Sequence, residues 1–90
     1  MATGRRNKIQ IITDLLTLLA EKEKVKPTHL LYKGNLSYDR LKKYLTELEE
    51  KGLIIMVREK EKTFYKLTDK GYHFVMEAKK IKELTEAFGL

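Results

Sequence analysis

The residues of this sequence best suited to chemistry are cations. In "SYDRLKKYLTELEE", residues 37–50, Arg40, Lys42 and Lys43 crowd the front while Glu47, Glu49 and Glu50 sit at the back. A helix macrodipole favours the reverse, acids in the first turn and bases in the last. A helix charged against its own dipole offers its front end to an anion outside the fold. Cations placed there reach phosphates or guanine edges, and the hydroxyls of Ser37 and Thr46 can hydrogen-bond either.

Leu41, Leu45 and Leu48 recur at spacings of four and three and mark the buried side of this helix. At about 100° per residue, the outward face of its front half holds Ser37, Asp39, Arg40, Lys42, Lys43 and Thr46, with Tyr38 and Tyr44 at the edges of the buried stripe. Asp39 either compensates the dipole or orients Arg40 and Lys43. Ser37 fits an N-cap and Gly52 a left-handed C-terminal residue. A second cationic group is Arg58, Lys60 and Lys62. Two apart on a strand, they should share one side, with Glu59 and Glu61 on the other. Arg5, Arg6 and Lys8 form a third group near the start that could reach adjacent phosphates. Each group also suits a merely solvated face, so the elements that carry them must decide.

Catalysis finds little to work with. His29 and His73 lie far apart, each without an acid or thiol at ligand spacing, and no Gly-rich phosphate loop, paired-His motif or nucleophile elbow is present. No catalytic residue, metal site, cofactor or small-molecule ligand is expected. Phe64 is the one aromatic expected to face solvent, and the tyrosines read as core and edge residues.

The whole chain, 1–90, reads as one domain with a core of limited size. Its net charge of +6 and pI of about 9.5 favour a polyanionic partner. The excess lies in residues 1–67, while 68–90 are balanced. Cysteine is absent, which excludes disulfides and thiolate metal sites. No apolar run approaches the roughly 18 residues of a membrane span. A cytoplasmic, nucleoid-associated location is the expectation.

Periodicity predicts a first helix over 5–22 with two apolar stripes, Ile9-Ile12-Leu16-Leu19 and Ile11-Leu15-Leu18. After a polar connector, in which Val25 suits a one-residue β-bridge, Pro27 opens a short helix over 27–33 that Gly34 ends. The cationic helix follows over 37–51. Two helices joined by a tight Gly-containing turn make a helix-turn-helix. "LIIMVR" and "TFYKL" then form a hairpin over 53–67, and Thr68 caps a last helix over 68–88. The fold class is mainly α with a small β-hairpin, a winged helix-turn-helix in the order α-α-α-β-β-α. The hairpin is the wing. Along the last helix Phe74, Ala78, Ile81, Thr85 and Phe88 make a heptad-like seam with Leu84 beside it. Together with Ile11-Leu15-Leu18 that seam is expected to form a dimer surface.

The stretch "HLLYKGNLSYDRLKKYLTELEEKGLI", followed by "YKLTDKG", resembles the small archaeal winged-helix proteins, which include the ten-kilodalton chromatin-associated DNA-binding proteins and the ArnR-like regulators. The resemblance runs over about residues 8–85. It rests on Tyr32, Gly34-Asn35-Leu36-Ser37-Tyr38, Leu41, Tyr44-Leu45, Leu48, Gly52-Leu53-Ile54 and Leu67-Thr68-Lys70-Gly71. It implies a winged helix that binds double-stranded DNA and forms a homodimer through its C-terminal helix. The chromatin-associated type carries a longer C-terminal helix, so the dimer contact here is expected to be shorter and to borrow surface from the first helix. The chain therefore reads as a dimeric double-stranded DNA-binding transcriptional regulator, with a sequence-tolerant architectural protein as the alternative. A protein-interaction module is the further alternative, though such modules tend to lose the basic face that is kept here.

Overall fold

The computed structural model describes residues 6–90. Four helices and a hairpin follow in the expected order: α1 (Lys8–Ala20), α2 (Pro27–Gly34), α3 (Tyr38–Glu50), β1 (Ile54–Glu59), β2 (Lys62–Leu67) and α4 (Asp69–Ala87). The chain is an α+β winged helix-turn-helix.

The first helix starts later than its apolar spacing suggests, because a capping box fixes its entry. The Asn7 side chain accepts from the Gln10 N–H, and the Gln10 side chain accepts from the Asn7 N–H, both at 2.8 Å. Elements α2, α4 and β2 all pack on α1. They bury Ile11, Ile12, Leu15, Leu16 and Leu19, which takes members of both stripes. This corrects the expectation that Ile11-Leu15-Leu18 waits for a partner. Ile11 and Leu15 are fully covered within one chain, Leu18 is half-buried, and Ile9 is the stripe residue left in solvent.

The helix-turn-helix closes differently from the sequence reading. Gly34 is the last helical residue of α2, and Asn35, with φ of 54°, takes the left-handed position. The Asn35 N–H bonds the Tyr32 carbonyl and the Leu36 N–H bonds the Leu31 carbonyl, a Schellman closure. Gly34 is small for another reason. A Cβ there would sit 3.1 Å from Leu15 Cδ2, so its absence lets α2 lie close to α1. Leu36 is buried, and the Ser37 hydroxyl accepts the Arg40 N–H at 3.3 Å. Turn and cap together set the angle at which α3 leaves.

Leu41, Leu45 and Leu48 are buried as their spacing requires. At the far end Gly52 (φ 76°) is left-handed, and the Leu53 N–H bonds the Leu48 carbonyl at 2.9 Å. The bases that α3 lacks in its last turn come from elsewhere. Lys70 Nζ donates to the Lys51 carbonyl at 2.7 Å, and the Thr68 hydroxyl donates to the Gly52 carbonyl at 2.6 Å. The same hydroxyl accepts the Gly71 N–H at 3.1 Å and so starts α4.

Strands β1 and β2 pair antiparallel from Ile54↔Leu67 to Glu59↔Lys62. Val25 extends this sheet by one residue through two backbone bonds to Tyr65, each 2.8 Å. That bridge ties the α1–α2 connector to the wing.

The tightest joint is Gly71, buried where the first turn of α4 meets Leu53, just after α3, and Leu67. A Cβ there would meet the Leu53 carbonyl oxygen at 2.2 Å and Leu67 Cδ2 at 2.8 Å. Gly71→Ala should therefore destabilise at the upper end of the roughly 1–3 kcal/mol expected for overpacking. Gly52→Ala, strained by its φ with ordinary space around it, should cost about 1–2 kcal/mol. Urea denaturation midpoints of the two variants measure the difference, and equal midpoints would show that the α3–α4 joint can open to admit a methyl group.

Candidate nucleic-acid interface

The front of α3 stands clear of the fold. Ser37, Tyr38, Asp39, Arg40, Lys42, Lys43 and Thr46 are all exposed. Tyr38, expected at the edge of the buried stripe, is 65% exposed, while Tyr44 is half-buried. Asp39, Lys42, Lys43 and Thr46 line a shallow depression on the outer side of the helix.

The ion pairs sort the cations into two sets. Arg6 bonds Asp14 at 2.6 Å and also reaches the Gly34 carbonyl. Lys8 pairs with Glu47 at 2.8 Å, and Lys24 pairs with Glu59. Arg6 and Lys8, read from the sequence as phosphate contacts, are thus tied into the fold, while Arg5 lies outside the described residues. Among the described residues, Arg40, Lys42, Lys43, Arg58, Lys60 and Lys62 have no carboxylate within 4.0 Å. Two acids near the back of the cationic elements, Glu47 and Glu59, serve α1 and the connector.

The wing departs from the alternation read in its sequence. Lys60 (φ 50°) and Glu61 (φ 68°) form a two-residue turn with both residues left-handed. Alternation therefore stops at Glu59 and resumes on β2 at Lys62. Arg58 is opposite Thr63, and Glu59 is opposite Lys62. Cross-strand neighbours share a face, so Arg58 and Lys62 project from opposite sides of the hairpin. Lys60 sits at the tip between them. The single cationic face expected of Arg58, Lys60 and Lys62 does not form.

Aromatic exposure also differs from expectation. Phe64 is half-buried with Lys24 Nζ 4.8 Å from its ring centroid, whereas Tyr32 is 82% exposed. A signal for Tyr32 existed. Leu30 and Gly34, one turn apart, are the buried residues of α2, and a residue midway between them points about 200° away. His73 has an acid neighbour after all, Glu77 one turn on, with Nε2 3.9 Å from the carboxylate on an exposed face.

Along α4 the expected seam is split. Phe74, Ala78 and Thr85 are half-buried, and Ile81, Leu84 and Phe88 are exposed. A groove of about 770 Å³ between α1 and α4 is lined by Ile9, Phe74, Ala78, Ile81, Thr85 and Leu90, among others. Gly89 (φ 73°) ends the helix, and the Leu90 N–H bonds the Thr85 carbonyl at 2.9 Å. Among the described residues no helix is long and apolar enough to cross a membrane.

A tight helix-turn-helix with an unpaired cationic front, followed at once by a bridged hairpin, defines a winged helix-turn-helix protein. The sequence profile of that family matches residues 5–86, and the chain belongs to the winged helix-turn-helix family. No curated protein sequence matches it. Among solved structures it is similar to Sso10a-2, a DNA-binding protein from Sulfolobus solfataricus, with 24% identity and a TM-score of 0.77 over 92% of this chain and 85% of that one. It is also similar to ZitR of Lactococcus lactis, at 25% identity and a TM-score of 0.76, over 87% and 61% of the two chains. The transcriptional regulator BldR from Sulfolobus solfataricus is 19% identical with a TM-score of 0.75, over 88% and 60%. The chain thus spans less than two thirds of the last two.

The Lys8–Glu47 pair carries a pH signature. Its hydrogen bond and charge raise the Lys8 pKa above the ordinary 10.5. A raised lysine stabilises the fold fully below its unfolded value, and the contribution disappears as pH climbs through the folded one. The stability gap between the unaltered chain and Lys8→Met should therefore be present at neutral pH and close above pH 10.5. Paired urea titrations at the two pH values read it, and a gap that persists would mean that Lys8 acts through packing of its stem.

Proposed function

We propose that this chain is a homodimeric transcriptional regulator that binds double-stranded DNA. The front of α3 enters the major groove, and Arg58 and Lys60 of the wing meet the sugar-phosphate backbone. One observation carries the reading: the fold pairs Arg6, Lys8 and Lys24 with its own acids yet leaves Arg40, Lys42 and Lys43 unpaired on one exposed helix front. In a helix-turn-helix this end of the second helix contacts base edges. Ser37, Asp39, Lys42, Lys43 and Thr46 are the residues able to specify bases, and Tyr38 and Arg40 flank them. The likeness to Sso10a-2, described as a DNA-binding protein, and to BldR, described as a transcriptional regulator, supports the class.

A second reading uses the same exposed cations without base readout, since phosphate contacts alone bind duplex DNA without sequence preference. A sequence-tolerant architectural role is that alternative. Selection of bound duplexes from a random pool separates the two, since a recovered motif means a regulator and none means an architectural protein.

Lys42→Glu combined with Lys43→Glu should abolish duplex binding while leaving the circular dichroism spectrum and melting nearly unchanged, because both residues are exposed. If each subunit neutralises about four phosphates, the log-log salt slope of the dimer should be on the order of −7. Retained binding by the double variant, or a flat salt response of the unaltered protein, would remove the reading.

The dimer surface we assign is the outer seam of α4, Ile81, Leu84 and Phe88, continued by Ile9 and Leu90 along the groove. These are among the large apolar side chains left in solvent, and burying such a side chain contributes roughly 1.5–3 kcal/mol. Two-fold symmetry counts each contact twice. Ile81→Asp with Phe88→Asp should convert a dimer to a monomer in light scattering and lower DNA affinity by about 10²-fold through lost effective concentration. A monomeric unaltered protein at high micromolar concentration would exclude this surface.

A further inference from the structure

Between the α1–α2 connector, α2 and β2 lies an open cup of about 460 Å³ whose lining includes Lys22, Lys26, His29, Tyr32 and Phe64. It shares no residue with the depression on α3, and nothing in the duplex reading uses it. Tyr32 is the most exposed tyrosine of the chain. A ring so far in water contributes little to packing, and both of its apolar faces remain uncovered. Phe64 also lines the cup. Lys24 lies over its ring and is bonded to Glu59, so that wall is held in place. Lys22 and Lys26 are exposed and, among the described residues, have no acid partner.

The cup therefore combines a free aromatic face, a fixed aromatic wall and two free cations. A bare anion would use the cations and leave the ring idle. The bases of a duplex are stacked on one another and cannot offer their faces. An unpaired nucleotide presents a π-face and a phosphate together, which is the combination that single-strand binding surfaces use. The strip continues beyond the cup, because Lys62 and Lys66 flank Phe64 at two residues on the same strand and share its face. Neighbouring phosphates would find cations there.

We propose that this cup binds unpaired nucleotides of single-stranded nucleic acid, stacking a base on Tyr32 with the adjoining phosphates against Lys22 and Lys26. The site stands apart from α3 and does not rest on the duplex reading.

The test uses the full chain and a fluorescently labelled oligothymidylate of about 12 nucleotides, within the length range of single-strand sites, followed by anisotropy at low salt. Tyr32→Ala should weaken binding about tenfold or more, and Tyr32→Phe should keep it, since stacking needs the ring and not the hydroxyl. Lys22→Ala with Lys26→Ala should reduce the salt slope by about 1.4. Duplex DNA measured alongside keeps the two sites distinct. Tyr32→Ala should leave duplex affinity unchanged, and Lys42→Ala with Lys43→Ala should weaken duplex binding while sparing the oligothymidylate. The proposal is overturned if Tyr32→Ala has no effect, or if it weakens duplex and single strand alike. It is equally overturned if the α3 variant loses the single strand, or if inorganic phosphate displaces the oligonucleotide at matched phosphate concentration.

Discussion

Leu15 lies against the bare backbone of Gly34, and the placement of α3 depends on that contact. The missing Cβ lets α2 settle onto α1, and Leu36 then closes over the joint before Ser37 caps α3. The direction of α3 is thus fixed from its N-terminal side by a packing distance, within three residues of turn. From its C-terminal side it is fixed by a hydrogen-bond cluster. Thr68 bridges the end of α3 and the start of α4, and Lys70 covers the Lys51 carbonyl. A helix held at both ends by other elements can leave its outer face without structural duties.

That division explains a charge pattern that opposes the helix dipole. The acids at the rear of α3 are partly occupied, since Glu47 holds Lys8 and so links α3 to α1. The positive charge wanted at its C-terminus arrives from α4 through Lys70. Both ends of the electrostatic conflict are settled by residues remote in sequence, which is why α3 by itself looks wrongly charged. What remains unsettled by the fold is the front: Arg40, Lys42 and Lys43.

Much of the architecture was legible in the chain because it rests on local rules. Leucine spacing placed α3, Pro27 opened α2, Thr68 capped α4, and the β-branched runs bounded by charge marked the wing. The misreadings share a different cause. Whether Ile11 and Leu15 face a partner or the core depends on how α2, β2 and α4 pack on α1, which is tertiary information. The faces of Arg58 and Lys62 depend on a turn whose left-handed residues are Lys60 and Glu61, types that do not advertise positive φ. The sequestered Arg6 and Lys8 needed the positions of Asp14, Gly34 and Glu47 in space. Sequence pattern could locate the cations but could not say which were already engaged.

The Val25–Tyr65 bridge has a mechanical consequence. It is one residue long and fastens the middle of β2 to the connector, and the Lys24–Glu59 pair adds a second tie beside the turn. In a hairpin held at both points, the freedom left is that of the Lys60–Glu61 turn. The hairpin's backbone amides should exchange with solvent in a gradient, slowest at the bridge and fastest at Lys60 and Glu61. A turn that moves alone can reposition Lys60 without transmitting torque to α3. Groove width varies with base composition, so under the proposed duplex reading the turn would follow the shape of the DNA while a rigid α3 meets the bases.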